Sequence, residues 1–192
     1  MSKTFWDSIK KMFERVDLPT KQTPILTNNV HDQSNRERTK ADETSDFSHV
    51  LKEKNIELNV EVSSQNELLK YLVDSVKTLD PMIDGEKIYG KYLLREQQDS
   101  TNLGDGIALP HIQDESIKQM TMLIIRFDKP IKWGSDGQKV GLIISLLTPL
   151  PDDKFDHVKY LASISQILLN KKNLYILGKS GSKTDILNLF VK

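Results

Sequence analysis

The 192-residue chain has no cysteine, which removes disulfides, thiolate metal ligands and thiol nucleophiles from consideration. It has no excess of either charge: 27 Lys and Arg balance 27 Asp and Glu, so no basic field points to nucleic acid as a partner. No run of about 18 apolar residues occurs, so no transmembrane helix is expected. The N-terminus lacks the apolar stretch of a signal peptide. A soluble protein of the cytoplasm is the expectation. Apolar residues make up only 38% of the chain, below the usual globular share, and they are unevenly spread. Between Asp32 and Asp46 the one apolar residue is Ala41. Several catalytic signatures are missing too. No G-K-[ST] follows the glycines of "GDG", so they do not form a P-loop. No G-x-S-x-G marks a serine nucleophile. No H-x-x-x-H puts two metal ligands on one helix face.

What is present divides the chain in two. In residues 1–46, "TFWDSIKKMFERV" (4–16) sets Phe5, Ile9, Met12, Phe13 and Val16 on one helical face. Such a short aromatic and partly basic helix fits docking on its own domain, on a partner or on a membrane surface. Residues 17–46 read as a polar linker that cannot bury enough surface to offset chain entropy. His31 lies in this linker and His49 at the edge of the next segment, where solvated histidines are expected.

Residues 47–192 carry a globular pattern. "NIELNVEV" alternates Ile56, Leu58 and Val60 as a strand does. Ser64 and Glu67 form a capping box for a helix whose apolar face is Leu68, Leu69, Leu72, Val73 and Val76, ended by Asp80-Pro81. A second helix fits 84–97, with Ile88, Tyr92 and Leu93 inward. "GIAL" and "MTMLIIRF" read as strands, "PIKWGSDGQ" as a tight connection turning on Asp136-Gly137, and "VGLIISLLT" as a strand buried on both faces. Asp152 or Asp153 caps a helix over 153–169. "NLYIL" reads equally as strand or helix. Ser182 and Asp185 open a last helix ending near Val191. Strands interleaved with helices predict an α/β fold.

Three side chains stand out. His111 follows "GIALP", where Pro110 ends a hydrogen-bond ladder and fixes the backbone that presents the imidazole. The end of a strand is where α/β folds place ligands, although a strand-terminal histidine can also serve only as a hydrogen-bond partner. His157 sits in the first turn of the 153–169 helix, either facing a cleft or packed at the edge of the core. Arg95, in "LLREQ", is at a helix end, where it can pair with Glu96 or Asp99 or hold a phosphate through its planar fork. The histidines with Asp114, Glu115 or Asp156 match no tight metal-ligand spacing.

With those residues in place, the chain resembles the enzyme IIA domain of the sugar phosphotransferase system, fructose–mannitol type, over roughly residues 50–192. "GDGIALPH" looks like that family's phosphorylation-site signature. "LLREQQDSTNLGDG" is similar to its Arg-Glu segment and glycine-rich approach, and "DHVKYLASIS" to its second histidine motif. The resemblance implies a mixed β-sheet flanked by helices on both faces. It implies His111 as the phosphohistidine nucleophile, His157 as a phosphate-positioning residue and Arg95 as a contact to phosphate or the transferring group, with no metal or cofactor. The phosphocarrier HPr would donate, an enzyme IIB would accept, and the backbone N–H groups of the glycine-rich loop can hold phosphate oxygens. Two positions depart from the pattern. Ile112 stands where a small residue is usual, and Asp99 where glycine is usual. They fit a divergent transport component or a regulatory module whose phosphorylation controls a partner.

Overall fold

The computed structural model describes residues 45–135, 137–152 and 156–191. The expected N-terminal helix and linker, the turn residue Asp136 and the start of the 153–169 helix lie outside these residues, apart from the last two linker positions. Six strands form one sheet: β1 (Ile56–Val60), β2 (Asn102–Gly104), β3 (Ile107–Ala108), β4 (His111–Asp114), β5 (Thr121–Trp133) and β6 (Gln138–Pro149). The path runs β1-β5-β6-β3-β2, and β4 also pairs with β6. Pairs β1–β5, β3–β6 and β4–β6 are parallel, whereas β5–β6 and β2–β3 are antiparallel. The sheet is therefore mixed, as expected.

Helices cover both faces because successive residues of the central strands point opposite ways. On one face α1 (Gln65–Leu79) and α2 (Gly85–Gln98) bury Leu69, Leu72, Val76, Ile88 and Tyr92 against Ile112, Leu123, Ile125, Ile143 and Leu147. On the other, α3 (Asp156–Leu168), α4 (Lys171–Lys179) and α5 (Lys183–Leu187) set Leu161, Ile164, Leu177 and Ile186 against Leu109, Met122, Ile124, Ile144 and Leu146. Each such fully buried Leu or Ile stabilises by about 1.5–3 kcal/mol.

The caps explain where these helices start. Ser64 Oγ accepts from Glu67 N at 3.2 Å. Glu67 returns the bond to Ser63 N at 2.8 Å, one residue earlier than a capping box requires. Asp152 accepts from the Asp156 and His157 amides at 3.0 and 2.9 Å. Asn170 Oδ1 accepts from Lys172 N, which settles "NLYIL" as the helix α4. The last helix stops at Leu187 rather than near Val191, and Phe190 packs edge-on against Phe47 beyond it.

Three expectations change. β5 does not end at Phe127 but runs through Pro130 to Trp133, because residues 127–130 bulge opposite Gly141 alone and the ladder resumes at Ile131–Val140. His111 does not close a strand; it opens β4. Pro110 donates nothing, but its carbonyl accepts from Leu146 N at 3.2 Å. Both flanks keep one register on β6, Ile107 opposite Leu142 and His111 opposite Leu146. The glycines of "GDG" form the β2–β3 turn, with Gly104, Asp105 and Gly106 at φ of 90°, 52° and 79°. Gly106 and His111 stand five steps of extended chain apart, about 16 Å, so this turn is not the cradle expected beside the histidine.

One polar clamp fixes α2 on β4. Asp114, fully buried, meets Lys87 Nζ at 3.0 Å and Lys91 Nζ at 2.8 Å, and accepts from Ser116 N and Oγ. Lys91 Nζ also donates to the Gln113 carbonyl at 2.7 Å. Burial pushes the Asp114 carboxyl up, but the bonds from Lys91, Ser116 and Lys87 outweigh it and hold the group well below the usual carboxylate range. Lys87 is 45% and Lys91 34% exposed, so water screens the pairs and discounts their worth. Asp114→Asn is expected to lower stability by about 1–2 kcal/mol near neutral pH. Because the folded value is depressed, this contribution is complete above the ordinary carboxylate pKa of about 4 and fades as pH falls below it. Urea midpoints of both proteins should therefore converge in acid.

Candidate functional site

The side chains Lys87, Lys91 and Arg95 recur every four residues, one above another on α2. From Lys91 to Arg95 the helix rises about 6 Å, and from Gln113 back to His111 the strand spans about 7 Å. With Lys91 held at Gln113 and Asp114, Arg95 falls level with His111. Its Nε donates to His111 Nε2 at 3.2 Å, and its Nη1 donates to the Asp99 carbonyl at 2.8 Å. Asp99 is the C-cap of α2 and contributes its backbone oxygen to this arrangement.

The bond from Arg95 settles the proton on His111. Since Nε2 accepts, the ring proton is on Nδ1, which lies 2.8 Å from the Leu109 carbonyl and donates to it. His111 is partly buried, on the face of the sheet that packs against α3. Ile112, the next residue, is 5% exposed and belongs to the opposite core with α1 and α2. The alternation of β4 turns its bulk away from the histidine.

α3 supplies the third residue. Its ring centre lies 5.5 Å from that of His111, with the planes tilted by 49°. His157 is 7% exposed, and its Nδ1 sits 2.7 Å from Thr148 Oγ1 on β6. Thus the structure brings together all three residues singled out in the sequence. It leaves Asp114 on the α2 side, engaged by lysines. Among the described residues no three His, Asp or Glu side chains gather as a metal site.

Both imidazoles are held neutral. Burial, then the Arg95 charge, then His157 push the His111 pKa down to about 3 against the pull of the Leu109 carbonyl. Burial pushes His157 down to about 4, with Arg95 adding to this and Asp152 opposing it. A neutral His111 keeps an unprotonated Nε2 near pH 7, which is the form that can act as a nucleophile.

Sequence reasoning missed two further groups. One is Thr148; a buried threonine at the end of an apolar strand carries no local signal. The other is Glu96. It accepts from Trp133 Nε1 at 3.1 Å, from Thr101 N at 3.2 Å and from the Thr101 hydroxyl, tying α2 to the 99–101 loop and to the end of β5. Burial raises its pKa despite the bonds from Thr101 and the nearby Arg95. The "RE" dipeptide was the visible trace of it. Because β2 and β3 pair with Asn102 opposite Ala108, and Leu109 N donates to the Thr101 carbonyl, the 99–101 loop is the segment that runs beside Pro110 and His111.

This mixed sheet is the fold of the enzyme IIA domains. The structure of nitrogen regulatory protein IIA-Ntr from Neisseria meningitidis superposes with a TM-score of 0.67 at 25% identity, covering 74% of this chain and 97% of that one. Enzyme IIA of the Escherichia coli complex of IIAMtl with phosphorylated IIBMtl gives 0.61 at 18% identity, over 73% of this chain and 96% of that one. The family model described as "Phosphoenolpyruvate-dependent sugar phosphotransferase system, EIIA 2" matches residues 49–192, and the chain belongs to that family. It is 29% identical over 135 residues to the PTS system fructose-like EIIA component of E. coli, spanning 70% of this chain and 90% of the relative. No helix among the described residues is long and apolar enough to cross a membrane.

The buried neutral histidines have a consequence for stability. Their folded pKa values of about 3 and about 4 lie below the unfolded value of about 6.5. Their contribution is therefore complete above about pH 6.5 and is lost as the pH falls through the folded values, because the unfolded chain binds protons that the folded chain refuses. Urea midpoints should fall from about pH 6.5 down toward pH 4, and the double substitution His111→Gln, His157→Gln should flatten that fall.

Proposed function

We propose that this protein is a cytoplasmic phosphoryl carrier, in which His111 Nε2 accepts a phosphoryl group from HPr and passes it to an enzyme IIB. The observation that carries the reading is the bond from Arg95 Nε to an unprotonated His111 Nε2. It puts a nucleophilic lone pair and a permanent cation at one point.

In the forward step the Nε2 lone pair attacks phosphorus in line with the donor. The donor's P–N bond breaks and its electron pair returns to the donor imidazole. The proton stays on His111 Nδ1, hydrogen-bonded to the Leu109 carbonyl, so the phosphorylated ring carries positive charge that the carbonyl stabilises. Arg95 Nε loses this acceptor when Nε2 bonds phosphorus. The phosphoryl oxygens then lie within its reach and accept the same N–H, so the cation is present before charge arrives and needs no large rearrangement. Depressed basicity also makes the His111 ring a good leaving group for the return step. His157, with its ring 5.5 Å away, is placed to contact the same oxygens.

A second reading has a specific observation behind it, the 25% identity with a nitrogen regulatory protein. In that case phosphorylation of His111 controls the affinity of a partner and feeds no sugar transport. The two readings share the first half-reaction and differ in the second.

Incubation with phosphoenolpyruvate, enzyme I and HPr should give an acid-labile phosphate that is absent from His111→Ala. Labelling that survives this substitution, or no labelling of the wild-type chain, defeats both readings. Discharge of labelled protein by a fructose- or mannitol-type enzyme IIB supports transport, and a label that no IIB removes supports regulation. Arg95→Ala should keep the label on His111 but slow its formation about 10²-fold, as loss of one pre-set charged donor does elsewhere. Rapid-quench kinetics of the HPr reaction would show it.

A further inference from the structure

Thr148 lies two residues beyond Leu146, the β6 partner of His111. It is 1% exposed, and its hydroxyl is 2.7 Å from His157 Nδ1. Two proton arrangements give that contact. The hydroxyl can donate to a bare Nδ1, or an Nδ1–H can donate to the hydroxyl.

Satisfaction of the hydroxyl separates them. Thr148 Oγ1 has no second hydrogen bond among the described residues. If it accepted from Nδ1–H, its own proton would be buried without an acceptor, which native interiors rarely tolerate. If it donates, every proton of the contact is used. His157 is neutral near pH 7 and carries one ring proton, so that proton belongs on Nε2. Among the described residues nothing else bonds Nε2, on a ring that stands beside His111.

We propose that Thr148 is a positioning residue that sets the tautomer of His157, leaving Nε2–H as a donor toward the phosphoryl group carried by His111. This rests on His111 being the phosphoryl acceptor. The two histidines then hold opposite tautomers for opposite tasks. His111 has Nδ1–H on the Leu109 carbonyl and a bare Nε2 for phosphorus. His157 has a bare Nδ1 on Thr148 and a proton on Nε2 for a phosphoryl oxygen. In the other tautomer His157 would turn a lone pair toward anionic oxygens and repel them. A neutral N–H contacts the phosphoryl group without the tight charge pairing that would hinder its onward transfer.

Two-bond proton–nitrogen spectra of the ¹⁵N-labelled full chain at neutral pH read both tautomers directly. The expected result is His157 protonated on Nε2 and His111 protonated on Nδ1. Thr148→Val keeps the shape and removes the donor. It should populate the Nδ1–H form of His157 and slow HPr-dependent labelling about tenfold, the worth of one hydrogen bond, with His111 still labelled. Thr148→Ser should restore both properties. Wild-type His157 protonated on Nδ1 overturns the proposal, and so does a folded Thr148→Val that transfers at the wild-type rate. Should circular dichroism show that Thr148→Val does not fold, the wild-type spectrum decides alone. Absence of label on wild-type His111 would remove the phosphoryl reading, while the spectrum would still decide the Thr148–His157 assignment.

Discussion

The pairing register of β6 is the constraint on which the remainder depends. This strand is buried along most of its length and lies between β5 on one side and β3 with β4 on the other. Since Ile107 meets Leu142 and His111 meets Leu146, the register passes through Leu109-Pro110 without a slip. A slip of one residue would exchange the faces of every side chain on β4. His111 would enter the core under α1 and α2, and Ile112 would stand beside His157. The apolar residues on both sides of the strand forbid this, because Ala108 and Ile112 belong to one core and Ile107 and Leu109 to the other. Pro110 keeps φ extended and sacrifices one amide, while its carbonyl still serves Leu146.

Once β6 is set, the two helical layers deliver different chemistry to one place. α2 brings a permanent cation from one face of the sheet and α3 brings a neutral ring from the other. Asp114 determines how far along β4 the arginine falls, and Thr148 determines which nitrogen of His157 is free. Among the described residues neither hydrogen-bonds His111. The site is thus a product of two separate packings that meet only through β4 and β6, and an error of one helical turn in either would dismantle it. Burial on the α3 side, with the Arg95 charge adding to it, explains the low basicity of both histidines, while Asp152 opposes it at His157.

Much of this was legible in the chain. Apolar alternation marked β1, apolar runs marked the core of β5 and β6, and Ser64 and Ser182 marked helix starts, because these signals are local. His111 was visible because Pro-His after an apolar run is an unusual local event. The unseen parts depend on contacts distant in sequence. β4 was hidden because Pro110 reads as a terminator unless the strand beside it is known. The continuation of β5 through Asp128, Lys129 and Pro130 was hidden because those exposed residues look like a turn, and only the ladder resuming at Ile131 shows a bulge. The resemblance read the glycines of "GDG" as part of a loop whose N–H groups hold phosphate, whereas their positive φ values serve the β2–β3 turn. Thr148 and Asp114 had no signature, because a buried polar residue acquires meaning only from its partner.

The balanced net charge gains a structural sense at this site. A pocket proposed to handle phosphate has to keep its own carboxylates occupied elsewhere, and three of those described have such a task. Asp114 is taken by Lys87, Lys91 and Ser116 on the α2 side. Glu96 is bound by Thr101 and Trp133, and Asp152 by the first amides of α3. In each case the anion is used to build the frame that aims Arg95 or His157. The Asp99 backbone, at the position where the family pattern has glycine, supports the arginine through its carbonyl. These carboxylates therefore act as mounts for Arg95 and His157, the groups proposed to face the phosphoryl oxygens.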